Sequence, residues 1–211
     1  MTDTRQQIIE TALTLFNEKG YKSVSMRDIS NTLGISIGNM TYHFPRKAQI
    51  VEAVIDHNKM RLFTSIPQNG ASTLAEYYEV MEMLYNLQRE EKFYFSNMLE
   101  IARDIPQIYE TQQNVRQVIF NYYKCSFANF RKNGIVVDTF DEGIYDNLAF
   151  TLLYLACFWH LDYSMSKDKC FDHLEILEVS CKTLVPYLTR EGVQLFEDLD
   201  KLRGFKITKF S

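Results

Sequence analysis

The stretch that most constrains this 211-residue chain is Ser25 to Lys47, SMRDISNTLGISIGNMTYHFPRK. It predicts two short helices held at a fixed angle. Ser25 is an N-cap, and Asp28, three places on, completes a capping box while adding negative charge to the first turn. Met26, Ile29 and Leu33 recur at three- and four-residue spacing, so one face of a Met26–Leu33 helix is apolar. Gly34 stands where a positive φ is wanted and stops that helix, and Ile35 plugs the corner. Ser36 caps a second helix over Ile37–Phe44, which Pro45 ends because the residue before a proline avoids the helical region.

Helices separated by about three residues cross steeply, and the second can lie in the major groove of a duplex. With Met40 and Phe44 facing inward, its other side presents Asn39, Thr41, Tyr42 and His43. Asparagine can pair two-fold with adenine, and threonine offers a hydroxyl and a methyl. Tyr42 and His43, at the flank, can donate to phosphate oxygens. A helical corner whose polar side is merely wet fits the same residues.

Length and composition set the outer limits. The chain carries a formal net charge of −4 and is 46% hydrophobic and 14% aromatic, which suits a globular core rich in rings. Four prolines and eight glycines favour long helices and short loops. No stretch resembles a leader or a membrane span, so a cytoplasmic address is expected. Cys125, Cys157, Cys170 and Cys181 lack CxxC spacing and read as reduced thiols. The charge is uneven: residues 1–47 carry six Lys/Arg against four Asp/Glu, a net of +2, and the remainder 17 against 23, a net of −6. A basic head on an acidic body meets nucleic acid in one orientation.

Before the corner, Asp3 or Thr4 caps a first helix that ends at Gly20, with Ile8, Ile9, Ala12, Leu13, Leu15 and Phe16 as its buried stripe. After it, a fourth helix over about Arg46–Ile66 runs from head into body, a lever able to move the recognition helix. Further helices are expected over about Thr73–Gln88 (capped by Ser72), Glu91–Ala102, Pro106–Lys132, Phe140–Tyr163, Phe171–Leu188 and Gly192–Leu202. Ile135-Val-Val is the one short strand candidate. Two leucine seams stand out: Tyr145, Leu148, Leu152, Leu155 and Trp159, then Leu174, Leu177, Cys181, Leu184 and Leu188. Such seams suit packing at a shallow angle, either inside one chain or between two copies; other apolar faces on both helices favour a partner. There is no GxSxG, P-loop, HExxH or GxGxxG, and the four histidines lack metal-ligand spacing, so neither catalysis nor a metal or cofactor is expected.

Residues 5–51, in particular ALTLFNEKGY, SMRDIS, LGIS and GNMTYHF with Lys47 following, resemble the N-terminal DNA-binding domain of the TetR family of bacterial transcriptional regulators. Ile37 stands where that family often has a polar or basic residue and Thr41 where it often has tyrosine, so the operator sequence cannot be borrowed. The resemblance implies an all-α fold of about nine to ten helices. A three-helix head, residues 1–47, binds DNA, and a body, residues 48–211, binds a ligand and dimerises. The expected DNA-facing residues are Ser25, Arg27, Ser36, Asn39, Thr41, Tyr42, His43 and Lys47, the last as a phosphate contact. The resemblance also implies a homodimer on a palindromic operator, joined through Leu148, Leu152, Leu155, Leu174, Leu177, Cys181, Leu184 and Leu188. It implies a small hydrophobic or aromatic effector, for which Tyr85, Tyr94, Met98, Arg103, Tyr122, Phe127, Trp159 and His160 are pocket candidates. A helical interaction protein without operator recognition is the alternative.

Overall fold

The computed structural model describes residues 3–139, 141, 143–165 and 173–203, the side chains of Asn58, Arg61, residues 160–165 and residues 173–174 apart. Among them the chain forms eleven α-helices and no strand. They are α1 (Thr4–Lys19), α2 (Met26–Leu33), α3 (Ile37–His43), α4 (Lys47–Ser65), α5 (Leu74–Glu90), α6 (Lys92–Ser96), α7 (Met98–Asp104), α8 (Gln107–Lys132), α9 (Ile144–Met165), α10 (His173–Lys182) and α11 (Arg190–Arg203). No helix among the described residues is long and apolar enough to cross a membrane.

The helix more than expected comes from a break at Asn97, which divides the predicted Glu91–Ala102 element into α6 and α7. The Asn97 side chain donates to the Phe93 carbonyl at 2.7 Å, offering the backbone an alternative to continuing the ladder. The predicted Phe171–Leu188 helix is also shorter. After α10 the chain tightens into a 3-10 turn, Val185–Tyr187, with a proline in its first turn; Pro186 has no N–H to extend an α-helix. Ile135-Val-Val does pair, though only as an isolated antiparallel bridge between Val136 and Leu188. The cap of α5 is Thr73 instead of Ser72: its hydroxyl accepts from the Glu76 N–H at 3.2 Å, while Glu76 accepts from the Ser72 and Thr73 amides.

The chain forms two compact units. The first is Met1–Thr64 with Leu87–Val115, and the second is Ser65–Asn86 with Arg116–Ser211. In the first, a continuous core joins Ile8, Ala12 and Phe16 of α1, Ile29, Met40 and Phe44 of the corner, and Ile50 and Val54 of α4. Phe93, Tyr94, Ile101, Ile105 and Ile108 belong to the same core. Three short helices bury too little surface to be stable alone, and a buried ring such as Phe93 contributes roughly 1.5–3 kcal/mol. Segment 87–115 therefore supports the corner as much as α4 does.

In the second unit, Tyr77, Tyr85, Tyr122, Tyr123, Phe127 and Phe130 are fully buried. Their rings form a connected set, with Tyr77 at 5.9 Å from Phe130 and 6.3 Å from Tyr122. Gly192 of α11 lies against the backbone of Ile135 so closely that a Cβ there would stand 2.0 Å from the carbonyl oxygen.

Candidate nucleic-acid interface

Each joint of the corner is fixed by a local bond. The Ser25 hydroxyl accepts from the Asp28 N–H at 3.2 Å and the Asp28 carboxylate accepts from the Ser25 N–H at 2.7 Å, a reciprocal capping box. The Ser25 hydroxyl and then its backbone N–H hold the Asp28 carboxyl below its ordinary range. At the other end of α2, Gly34 is left-handed with φ 74°. The Ile35 N–H returns to the Ser30 carbonyl at 3.0 Å, the Schellman closure that positive φ permits. Ser36 then caps α3 by accepting from the Asn39 N–H at 3.1 Å. Phe44, extended at φ −138° ahead of Pro45, ends it. At the start of α4, Gln49 accepts from the Arg46 N–H at 3.1 Å.

This framing buries Met40 and Phe44 and leaves Ile37, Gly38, Asn39, Thr41 and Tyr42 exposed, with His43 half-buried. Tyr42 is 82% exposed, and its ring meets the His43 ring edge-on at 5.3 Å. Ser25, Arg27 and Ser36 are also exposed. One expected donor is committed elsewhere: the Thr41 hydroxyl donates to the Gly38 carbonyl at 3.1 Å. It keeps lone pairs for a base and a methyl, but no proton.

Lys47 is half-buried and turned toward the head. Its ammonium donates to the Tyr21 carbonyl and lies 4.2 Å from the centre of the Tyr21 ring and 5.7 Å from that of Phe16. Burial lowers its pKa, against the pull of Asp104 and Asp28. The residue expected to contact phosphate thus also staples α4 to the end of α1, with two N–H groups left over. Sequence reasoning missed Arg5. From the first turn of α1 its guanidinium sits 5.0 Å over the Phe44 ring, which places a cation beside the end of α3. The signal available was a basic residue directly after a cap.

The first unit carries a second set of polar contacts behind the corner. Asn17 donates to the Glu90 carbonyl at 2.7 Å and accepts from the Phe93 N–H at 2.9 Å. Lys22 pairs with Glu100. The Tyr21 phenol is pushed up by burial and by Asp104, to which it is hydrogen-bonded.

The pocket candidates fall in both units. Tyr94 is buried in the core of the first unit, Met98 packs against that core, and Arg103 is exposed. Tyr85, Tyr122 and Phe127 are buried in the second, and Trp159 is half-buried with its ring 6.0 Å from that of Tyr85. The His160 side chain lies outside the described residues. Among these rings Tyr85 bonds the Ser180 hydroxyl at 2.5 Å and Tyr123 donates to the Met81 sulfur at 3.2 Å. The fully buried Tyr77 hydroxyl has no hydrogen-bond partner.

Of the interface candidates, Leu148, Leu152, Leu177, Cys181, Leu184 and Leu188 are buried within the single chain and Leu155 is half-buried. The Leu174 side chain lies outside the described residues. The face of α9 that is open is aromatic: Phe150, Tyr154 and Phe158 are 51%, 40% and 36% exposed. They step by four, with neighbouring rings 4.6 and 5.6 Å apart, and Arg116 lies 5.2 Å over Tyr154.

Comparison with known proteins places residues 8–54 in the family described as bacterial regulatory proteins, tetR family. The chain is 27% identical over 183 residues to the uncharacterized HTH-type transcriptional regulator YuxN of Bacillus subtilis (strain 168). The match takes in 82% of this chain and 60% of that protein, so the chain spans less than two thirds of this relative's length. Among solved structures, a TetR-family transcriptional regulator from Marinobacter aquaeolei VT8 has a TM-score of 0.83 at 19% identity. That likeness covers 95% of this chain and 98% of the other. A putative transcriptional regulator from Saccharomonospora viridis in complex with choline has a TM-score of 0.68 at 21% identity, covering 90% and 100%.

Proposed function

Since this chain belongs, through the head that residues 8–54 form, to the tetR family of bacterial regulatory proteins, we propose that it is a ligand-responsive transcriptional regulator that binds operator DNA as a homodimer. One observation carries the reading. A corner locked by two serine caps and a left-handed glycine buries only Met40 and Phe44 of the second helix and its end, and presents Ile37, Asn39, Thr41 and Tyr42 outward. That is the presentation a groove-reading helix needs. Ser25, Arg27, Ser36, His43, Lys47 and Arg5 are the phosphate-side groups that fix its register. Seated on a promoter, such a protein occludes it, so repression is the simplest output.

One short helix reads few bases, and a two-fold dimer doubles the contacts. The surface suited to a second copy is the Phe150–Tyr154–Phe158 stripe of α9. It is an exposed aromatic face with an arginine at its edge, the composition enriched in protein interfaces. The effector belongs in the second unit, among Tyr77, Tyr85, Tyr122, Phe127 and Trp159. A buried phenol without a partner supports a ligand that supplies one, and the choline complex of a structural relative supports a small molecule in this fold. The ligand acts by population shift. If it prefers one arrangement of α5 and α8, both of which continue into segment 87–115, the bias reaches Asn17 and the corner.

The test is an electrophoretic mobility shift at physiological salt, comparing the gene's own upstream region with random duplex. Binding at least a thousand-fold tighter to the former is expected of a specific regulator. Equal binding supports the alternative, a helical interaction protein without operator recognition.

A further inference from the structure

Ile37 opens α3 and is 43% exposed. A lone exposed isoleucine on an ordinary surface needs no explanation, but this one begins the helix whose outward side is otherwise Asn39, Thr41 and Tyr42. It has nothing to offer a phosphate. Four places on, and so on the same side of the helix, Thr41 has spent its hydroxyl proton on the Gly38 carbonyl. Gly38, between them in sequence, has no side chain and meets only the Ser36 hydroxyl within 4 Å of where a Cβ would stand. The outcome is a strip of the reading face that carries methyl groups and no donor.

In the major groove one base edge complements such a strip, the 5-methyl of thymine. We infer that Ile37, with the Thr41 methyl, is a specificity-determining contact to thymine methyl groups in each operator half-site. This rests on the operator-binding reading and deepens it. Ile37 departs from the family's usual polar residue at this place, and that departure then marks which bases this regulator selects instead of a loss of reading.

The full-length protein is used to select bound sequences from a random duplex library, and each thymine of the selected site is then replaced singly by deoxyuridine. Uridine keeps every hydrogen-bonding group and removes only the methyl. Wild type is expected to bind about four-fold more weakly at one or two thymines per half-site, the change that one buried methyl group supports. Ile37→Ala is expected to lose a similar factor on the unmodified site and to be indifferent to uridine at that thymine. Thr41→Ser, which keeps the hydroxyl and drops the methyl, behaves likewise at its own thymine. A selected site at which no uridine substitution weakens wild type overturns the inference while leaving the regulator reading intact. So does an Ile37→Ala variant that retains full uridine sensitivity. A selection that enriches no sequence overturns the regulator reading itself.

Discussion

The carboxamide of Asn17 grips the backbone of Glu90, its nitrogen 2.7 Å from that carbonyl, and closes the other half of the clamp on the Phe93 N–H. One side chain of α1 thus satisfies the last carbonyl of α5 and an early amide of α6. Replacing it leaves both backbone groups without a partner in a half-buried place. Asn17→Ala is expected to lower stability by about 2 kcal/mol, within the usual cost of orphaned polar groups, measured by urea unfolding. An effector that weakens DNA binding of the wild type should also do so less in this variant. Unchanged stability would mean that water replaces the clamp at no cost.

The reciprocal bonds between Ser25 and Asp28 make the start of α2 sensitive to acid. Ser25→Ala should cost about 1 kcal/mol, the typical loss of an N-cap. Asp28 has its carboxyl held below the ordinary value in the folded chain. Its contribution is therefore present above the unfolded pKa and is lost as pH falls through the folded one. The melting temperatures of wild type and Asp28→Ala should differ at pH 7 and converge below about pH 3. A gap that stays constant with pH would exclude the carboxylate as its origin.

Lys47 has two jobs to separate. Lys47→Met keeps the stem and removes the charge. It should lower thermal stability, since a cation stacked on Tyr21 and Phe16 and bonded to a carbonyl is lost. If the ammonium also meets a phosphate, the slope of log K against log salt falls by about 0.9. A less stable variant with an unchanged slope would make the lysine purely a staple.

Tyr154 is the centre of the exposed stripe on α9. Tyr154→Glu places a charge between Phe150 and Phe158 and should shift the species in analytical ultracentrifugation from dimer to monomer at micromolar concentration. The fold should survive, because the ring is 40% exposed. Operator affinity should drop with the dimer. A variant that remains dimeric would move the interface elsewhere.

Gly192→Ala tests a close approach. Its added carbon would fall 2.0 Å from the Ile135 oxygen and 3.3 Å from Leu188 Cβ, so backbone must shift. A loss of roughly 1–3 kcal/mol is expected, the usual cost of overpacking, read as a lower midpoint of thermal unfolding.

The corner was legible because every device in it is local. Ser25 with Asp28, Gly34, Ser36 and Pro45 act within a few residues of themselves, and α2 runs over the residues their spacing predicts. What lay outside local reach was the partner of each face. Leucines at 148, 152, 177, 184 and 188 announce burial but not by which chain, and here they face inward while the rings of the same α9 stand open. Asn97 gave no sign that it would break a helix, because its bond to Phe93 is one of several an asparagine can make. The run Phe93-Tyr94-Phe95 showed an apolar segment, yet its place in the core of the head depends on α1, more than seventy residues earlier. The inward turn of the Thr41 hydroxyl was equally hidden, since a threonine on a helix has two acceptable rotamers.

The division of the chain also sets an order of events during synthesis. Once Val115 has left the ribosome, every residue of the first unit exists, and its core can close with nearly half of the polypeptide still to be made. Tyr85 must wait for Ser180, 95 positions later, before its buried hydroxyl finds a partner. The nascent protein thus acquires its groove-facing helix well before the part that would govern it.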